Sequence, residues 1–175
     1  RYTITVTNST ATPAAGVVLT DAVPANTTYV SRSTTLNGIA VPDAGAGVSP
    51  LVSGMSVVSS GLTPTSTSSG GTVAANSTGS ITFDVRVNTG VPAGTIVCNQ
   101  GTVTATGLPP LLTDSDGNPA NGFQTTCITV GKAATNFSLQ PGSFSGRVWQ
   151  DSNFNKVFDS GEQQFSGWSA DVYKD

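Results

Sequence analysis

The segment Ser80-Ile-Thr-Phe-Asp-Val-Arg-Val87 places Ile81, Phe83, Val85 and Val87 at every second position, with Thr82, Asp84 and Arg86 between them. Side chains alternate across a strand, so this spacing predicts a β-strand with one apolar and one polar face, central in its sheet. The same period recurs in Tyr2-Thr-Ile-Thr-Val-Thr-Asn8, in Gly16–Asp21 and in Thr27–Ser31, and turn residues such as Pro13, Pro24 and Asn26 separate these segments. Short alternating runs punctuated in this way predict antiparallel sheets packed face to face. The Asn37-Gly38 pair predicts a tight hairpin. From Ile39 to Thr78 the chain is small, polar and rich in Gly, Ser and Thr, with weaker strands expected near Met55–Val58 and Thr72–Ala74. The fold class is therefore all-β.

A second feature lies near the end of the chain. The run Asp151-Ser-Asn-Phe-Asn-Lys-Val-Phe-Asp-Ser-Gly-Glu162 sets oxygen ligands at positions one, three, five, nine and twelve of a twelve-residue loop. Ca²⁺ takes six to eight oxygens, and loops of this kind supply them from Asp or Asn at one, three and five, a backbone carbonyl at seven and a bidentate Glu at twelve. The expected ligands are Asp151, Asn153, Asn155, the Val157 carbonyl, Asp159 and Glu162, with Ca²⁺ as the cofactor. Lys156 departs from the pattern, which has Gly at that turn. A left-handed non-Gly residue costs about 1 kcal/mol, which ion–carboxylate contacts can offset. An EF-hand would need a helix on each side. Here Gly142–Gln150 and Phe165–Lys174 both read as strands.

With its flanks Gly146-Arg-Val-Trp-Gln150 and Gly167, this loop resembles the opening of the B-type repeat of serine-aspartate-repeat and collagen-adhesin surface proteins. That resemblance implies a β-sandwich with a calcium loop near its start. It covers about thirty-five residues, so the repeat is expected to be incomplete here. Seven aromatic residues crowd into this stretch and read as core for a small sheet, with Phe154 and Phe158 in the loop the best placed to meet a partner.

The rest of the chain carries a second resemblance. Tyr2-Thr-Ile-Thr-Val-Thr-Asn8, Val18-Leu-Thr-Asp-Ala-Val-Pro24, Thr28-Tyr-Val30, Ile81–Val87 and Asn99-Gln-Gly-Thr-Val-Thr104 are similar to the repeat family called domain of unknown function eleven. That family implies an immunoglobulin-like sandwich used in tandem in bacterial and archaeal surface proteins, with no catalytic residues to carry over. The expected organisation is an immunoglobulin-like domain over residues 1–130, a linker over 131–142 and a partial B-type domain over 143–175. The family's short first strand does not precede Tyr2. Either it lies outside these residues or another chain supplies it, and strand addition between copies would then give a head-to-tail polymer.

Cys98 and Cys127 sit in strand-like contexts. An even cysteine count in a Ser/Thr-rich chain points to one disulfide, while two buried thiols are the alternative. The bond would close a loop of about 28 residues between neighbouring strands joined by Leu108–Asn121 and stabilise by roughly 3–4 kcal/mol. Thr113-Asp-Ser-Asp-Gly-Asn118 reads as a polar turn or as half a calcium loop. Sequons stand at Asn8, Asn26, Asn76 and Asn136.

Function classes narrow from composition. The chain has no His, a net charge of −3 and no basic cluster, which argues against nucleic acid, His-ligated metals and Ser–His–Asp or Cys–His catalysis. Phosphate-binding Gly loops are absent, and no run approaches the roughly twenty apolar residues of a membrane helix. The expectation is no enzyme and no membrane span. The chain reads as an extracellular structural repeat of a cell-surface stalk or filament, with neighbouring copies or adjacent domains as partners. The alternative is an adhesin whose binding face lies within Ile39–Ser77.

Overall fold

The alternating segments become strands in a computed structural model, which describes residues 1–60, 68–131, 148–149, 160 and 164–165. The chain divides into two compact units, Arg1–Ala133 and Ala134–Asp175. In the first, the strands are β1 (Tyr2–Asn8), β2 (Ala14–Thr20), β3 (Thr27–Tyr29), β4 (Thr35–Leu36), β5 (Ile39–Ala40), β6 (Met55–Ser56), β7 (Gly71–Val73), β8 (Ser77–Phe83), β9 (Val85–Val87), β10 (Ile96–Asn99), β11 (Thr102–Ala105), β12 (Leu108–Leu112) and β13 (Thr126–Thr129). Every pairing among them is antiparallel.

One sheet runs β1-β8-β4-β5 and the other β12-β11-β2-β6, with β7 also on β2; β3–β9 and β10–β13 are two further pairs. Inward positions from both sheets meet in one core, with Ile4, Leu36, Ile81 and Phe83 from the first against Val17, Leu19, Met55 and Val73 from the second. The unit is a β-sandwich. Burying a side chain such as Leu19 or Ile81 fully contributes roughly 2 kcal/mol, so these few positions carry much of the fold. The rings of Tyr2 and Phe83, directly opposite in the β1–β8 register, stack with centroids 5.2 Å apart.

The segment 80–87 is central as expected, but it changes partner midway. β8 lies between β1 and β4, and beyond Asp84 the chain continues as β9 against β3. Asp84 makes the break: its carbonyl accepts the Val30 amide at 2.9 Å and its amide donates to Ser33 Oγ at 3.0 Å. The Asn37-Gly38 hairpin also forms, with φ of 52° and 80°, both in the left-handed region that such two-residue turns require.

Three expectations need correction. β2 starts at Ala14 rather than at Gly16. The strand-like context of Cys98, residues 95–105, is two strands that break at Gln100-Gly101, where Gly101 and Thr113 pair instead. The connection read as a loop from Leu108 to Asn121 opens with β12, although it contains Pro109 and Pro110. Pro lacks a ladder N–H, and an outermost strand can place that missing donor toward solvent.

In the second unit, β14 (Val148–Trp149) pairs antiparallel with β15 (Gln164–Phe165), Trp149 standing opposite Gln164. The described residues on either side of the Asp151–Glu162 run are therefore in strands and not in the helices of an EF-hand. Among the described residues, no helix is long and apolar enough to cross a membrane.

Candidate functional site

Asp151, Asn153, Asn155, Val157, Asp159 and Glu162 lie outside the described residues, which take in the mouth of the loop and, within it, Ser160 alone. There Trp149 and Gln164, each two positions from a terminal ligand, form a cross-strand pair that ties both ends of the loop together. The donor set itself is three carboxylates, two amides and a carbonyl. Hard oxygens without thiolate or imidazole suit Ca²⁺ and not Zn²⁺.

Cys98 and Cys127 are joined, with sulfurs 2.04 Å apart and the two residues directly opposite in the β10–β13 register. The bond lies on the outer face. All four residues of β13 are exposed, and so are Ile96 and Cys98 of β10, whereas Val97 and Asn99 point inward. β13 contributes little to the core, so its attachment rests on the β10 ladder and the disulfide.

Between β12 and β13, the Asp114–Gln124 connection is a web of side-chain to backbone bonds. Asp114 Oδ1 accepts the Gln124 amide at 3.1 Å, and Asp116 accepts the Asn118 amide and Asn121 Nδ2, both at 2.9 Å. The Asn121 bond, followed by the Asn118 amide, holds the Asp116 carboxyl below its ordinary range. Asp114 Oδ2 and Gln124 Oε1 are buried without a partner. No group of three or more His, Cys, Asp or Glu side chains suited to a metal ion gathers among the described residues.

Asp43 organises another cluster. Its carboxylate accepts Tyr29 Oη at 2.9 Å, Ser31 Oγ at 2.5 Å and the Arg32 amide at 2.9 Å. Burial works against the charge, but these three donors and the Arg32 guanidinium outweigh it and the carboxyl lies below its ordinary pKa. The cluster holds Arg32 at a φ of 62°, a strained position for a non-Gly residue. Beside it opens a groove of about 600 Å³ whose lining includes Ser31, Arg32, Val41, Asp43 and Gly47.

Asp21 is the one buried carboxylate among the described core residues, 3 % exposed. Asn99 Nδ2 donates to its Oδ2, and its Oδ1 has no partner. Burial pushes its pKa up to about 6, with the Asn99 bond pulling the other way. Asn8, read as a sequon, is also committed inside: it is 8 % exposed and donates to the carbonyls of Thr12, Val73 and Ala74. A side-chain nitrogen so bonded is closed to glycosylation in the folded chain.

Compared with known proteins, the chain matches no family model, no curated protein and no solved structure.

Within the first unit the structure joins Cys98 to Cys127, and within the second it pairs Trp149 with Gln164 at the mouth of the loop. It adds the Asp43 cluster and the Asp21–Asn99 pair, which sequence reasoning missed. Asp43 follows Pro42 in a Gly- and Ala-rich stretch and resembles any turn residue. Asp21 carried a faint signal, being an Asp at the end of an apolar strand.

Proposed function

We propose that this chain is a structural repeat of an extracellular cell-surface stalk or filament, an immunoglobulin-like sandwich followed by a B-type unit that Ca²⁺ stiffens. The observation that carries this reading is the Cys98–Cys127 bond on an exposed strand pair, since a cystine open to solvent persists in an oxidising compartment and is reduced in the cytosol. The polar side chains of the first unit support it too. Asn8, Asn37, Asp43 and Asp116 are occupied with loop and turn backbone, which is work of cohesion and not of catalysis.

In this reading Ca²⁺ draws Asp151, Asp159 and Glu162 together, neutralises their mutual repulsion and orders the loop above the β14–β15 pair. Antibody labelling and protease shaving of intact cells, with thiol alkylation before and after reduction, test the proposal. Surface labelling in fibrous arrays with both cysteines protected is expected. Intracellular protein carrying free thiols sinks it.

The adhesin reading keeps one supporting observation, the groove beside Asp43 and Arg32, which falls partly within Ile39–Ser77. Binding of the chain to cells or glycans that Arg32→Ala abolishes, with melting unchanged, would favour it over the stalk.

A further inference from the structure

Among the described residues, β1 is paired on one side only, by β8, and the polarity of its other edge can be worked out from the ladder. Ser80 spends its amide on Asn37 Oδ1 at 2.9 Å and its carbonyl on the Asn37 amide at 2.7 Å, both on the side away from β1. In an antiparallel ladder, residues facing each other without exchanging bonds turn their polar groups outward. Thr5, opposite Ser80, therefore directs its N–H and C=O to the free side, and by the period of two so do Thr3 and Thr7.

This edge lacks the devices that keep strand edges apart. Over Tyr2–Asn8 it is seven residues long, with no charge, no Pro and an unbroken register on β8. The other outermost strands described in this unit differ: β5 and β6 have two residues each, β3, β7 and β9 three, β10 and β13 four, and β12 carries Pro109 and Pro110. A groove of about 330 Å³ runs along β1, lined on its other side by Asn99, Val103, Leu111, Thr113 and Thr126. Tyr2 Oη and Asp114 Oδ2, both buried without a partner, also line it.

We propose that β1 is a pairing edge for β1 of a second copy of this protein, antiparallel about a two-fold axis through Thr5. The strand is self-complementary in that register. Thr5 meets Thr5, Thr3 meets Thr7, and Ile4 meets Val6 on the inward face, so the two sheets continue into one. The three outward-facing threonines of each copy make about six hydrogen bonds, two for each bonded pair. An isologous contact of this kind closes on itself, so it joins neighbours laterally where the head-to-tail expectation would extend them. It rests on the structural-repeat reading only in taking another copy as the partner.

Sedimentation of the 175-residue chain over a concentration series tests it, with Thr5→Lys and Thr5→Glu alone and mixed. Thr5 is exposed on the outer face, so both variants keep the fold, and each sets like charges opposite one another at the axis. The expected result is a reversible dimer, about tenfold or more weaker in either variant and restored in the mixture. Thr5→Pro removes the outward N–H without a β1–β8 bond and is expected to be monomeric with melting nearly unchanged. A wild-type monomer throughout, undiminished association of the Lys or Pro variant, or a mixture that fails to recover would each overturn the proposal. None of these outcomes touches the stalk reading, which the cell-surface experiment decides.

Discussion

Asn99 Nδ2 donates a 2.8 Å hydrogen bond to Asp21 Oδ2 inside the sandwich, tying β10 to the end of β2 across 78 positions of sequence. The bond satisfies one carboxylate oxygen and leaves the other without a partner; burial raises the carboxyl's pKa to about 6, and the Asn99 bond, which favours the charged form, opposes that rise.

That raised pKa fixes a pH dependence. A carboxyl raised from 3.8 to about 6 in the folded state binds its proton more tightly than the unfolded chain does. Its contribution to stability is whole below about pH 4, declines as pH rises to about 6 and is then gone, a change of roughly 3 kcal/mol. Asp84 and Asp43, whose pKa values are lowered, act in the opposite sense and at lower pH, losing their stabilisation as pH falls through their folded values. Asp21→Asn keeps an acceptor for Asn99 and no longer titrates. Thermal unfolding between pH 4 and 7.5 should show a higher melting temperature for the variant at pH 7.5 and a flatter profile; an unchanged profile would count against the raised pKa.

Reduction of the Cys98–Cys127 bond should lower stability by about 3 kcal/mol. Because β13 is exposed along its length, the loss should begin there. Hydrogen exchange in reductant should show Thr126–Thr129 losing protection while β1 and β8 keep theirs. Uniform loss across both sheets would refute this local account.

Asp43→Ala removes the acceptor for Tyr29, Ser31 and the Arg32 amide, at an expected cost of about 2 kcal/mol in denaturant unfolding. Tyr29 Oη keeps Thr34 Oγ1 at 2.9 Å, which limits the damage. Arg32→Gly should act in the other direction, gaining about 1 kcal/mol, since Gly takes a φ of 62° without strain.

Gly71→Ala should be among the most damaging single changes. A Cβ there would fall inside the backbone of Val57, and backbone cannot rotate away as a side chain can. The expected loss is about 3 kcal/mol or more, with the β2–β7 pairing the first to suffer. Near-wild-type melting would show that the β6–β7 connection yields.

For the second unit, melting of the whole chain in millimolar Ca²⁺ and in EDTA should differ. At a hundredfold excess over Kd the gain is about 2.7 kcal/mol. Asp151→Ala should abolish it and leave the first unit's transition in place. Melting indifferent to Ca²⁺ would remove the metal assignment.

How far the sequence alone reached depended on the range of the interactions. β1 and β8 were legible because one face of each is buried and alternation records that face directly. The calcium loop proposed for Asp151–Glu162 could be suggested from sequence for a similar reason, since its expected ligands lie within twelve consecutive residues. β12 left no trace, as its five residues are all exposed and two are proline. The Asp43 cluster and the Asp21–Asn99 bond join residues 11 to 78 positions apart, and no local period records such meetings. Both chain breaks, at Asp84 and at Gly101, occur where a backbone group leaves one strand partner for another, a choice made by the assembled sheet.

The bond between Cys98 and Cys127 also governs what the molecule does under tension. Pulled from both sides, the first unit can release its strands, but the 29 positions spanned by the cystine stay out of the line of force. At about 3.5 Å per residue, roughly 100 Å of thread is withheld from the extended chain. Even when unravelled, this segment of the protein remains short.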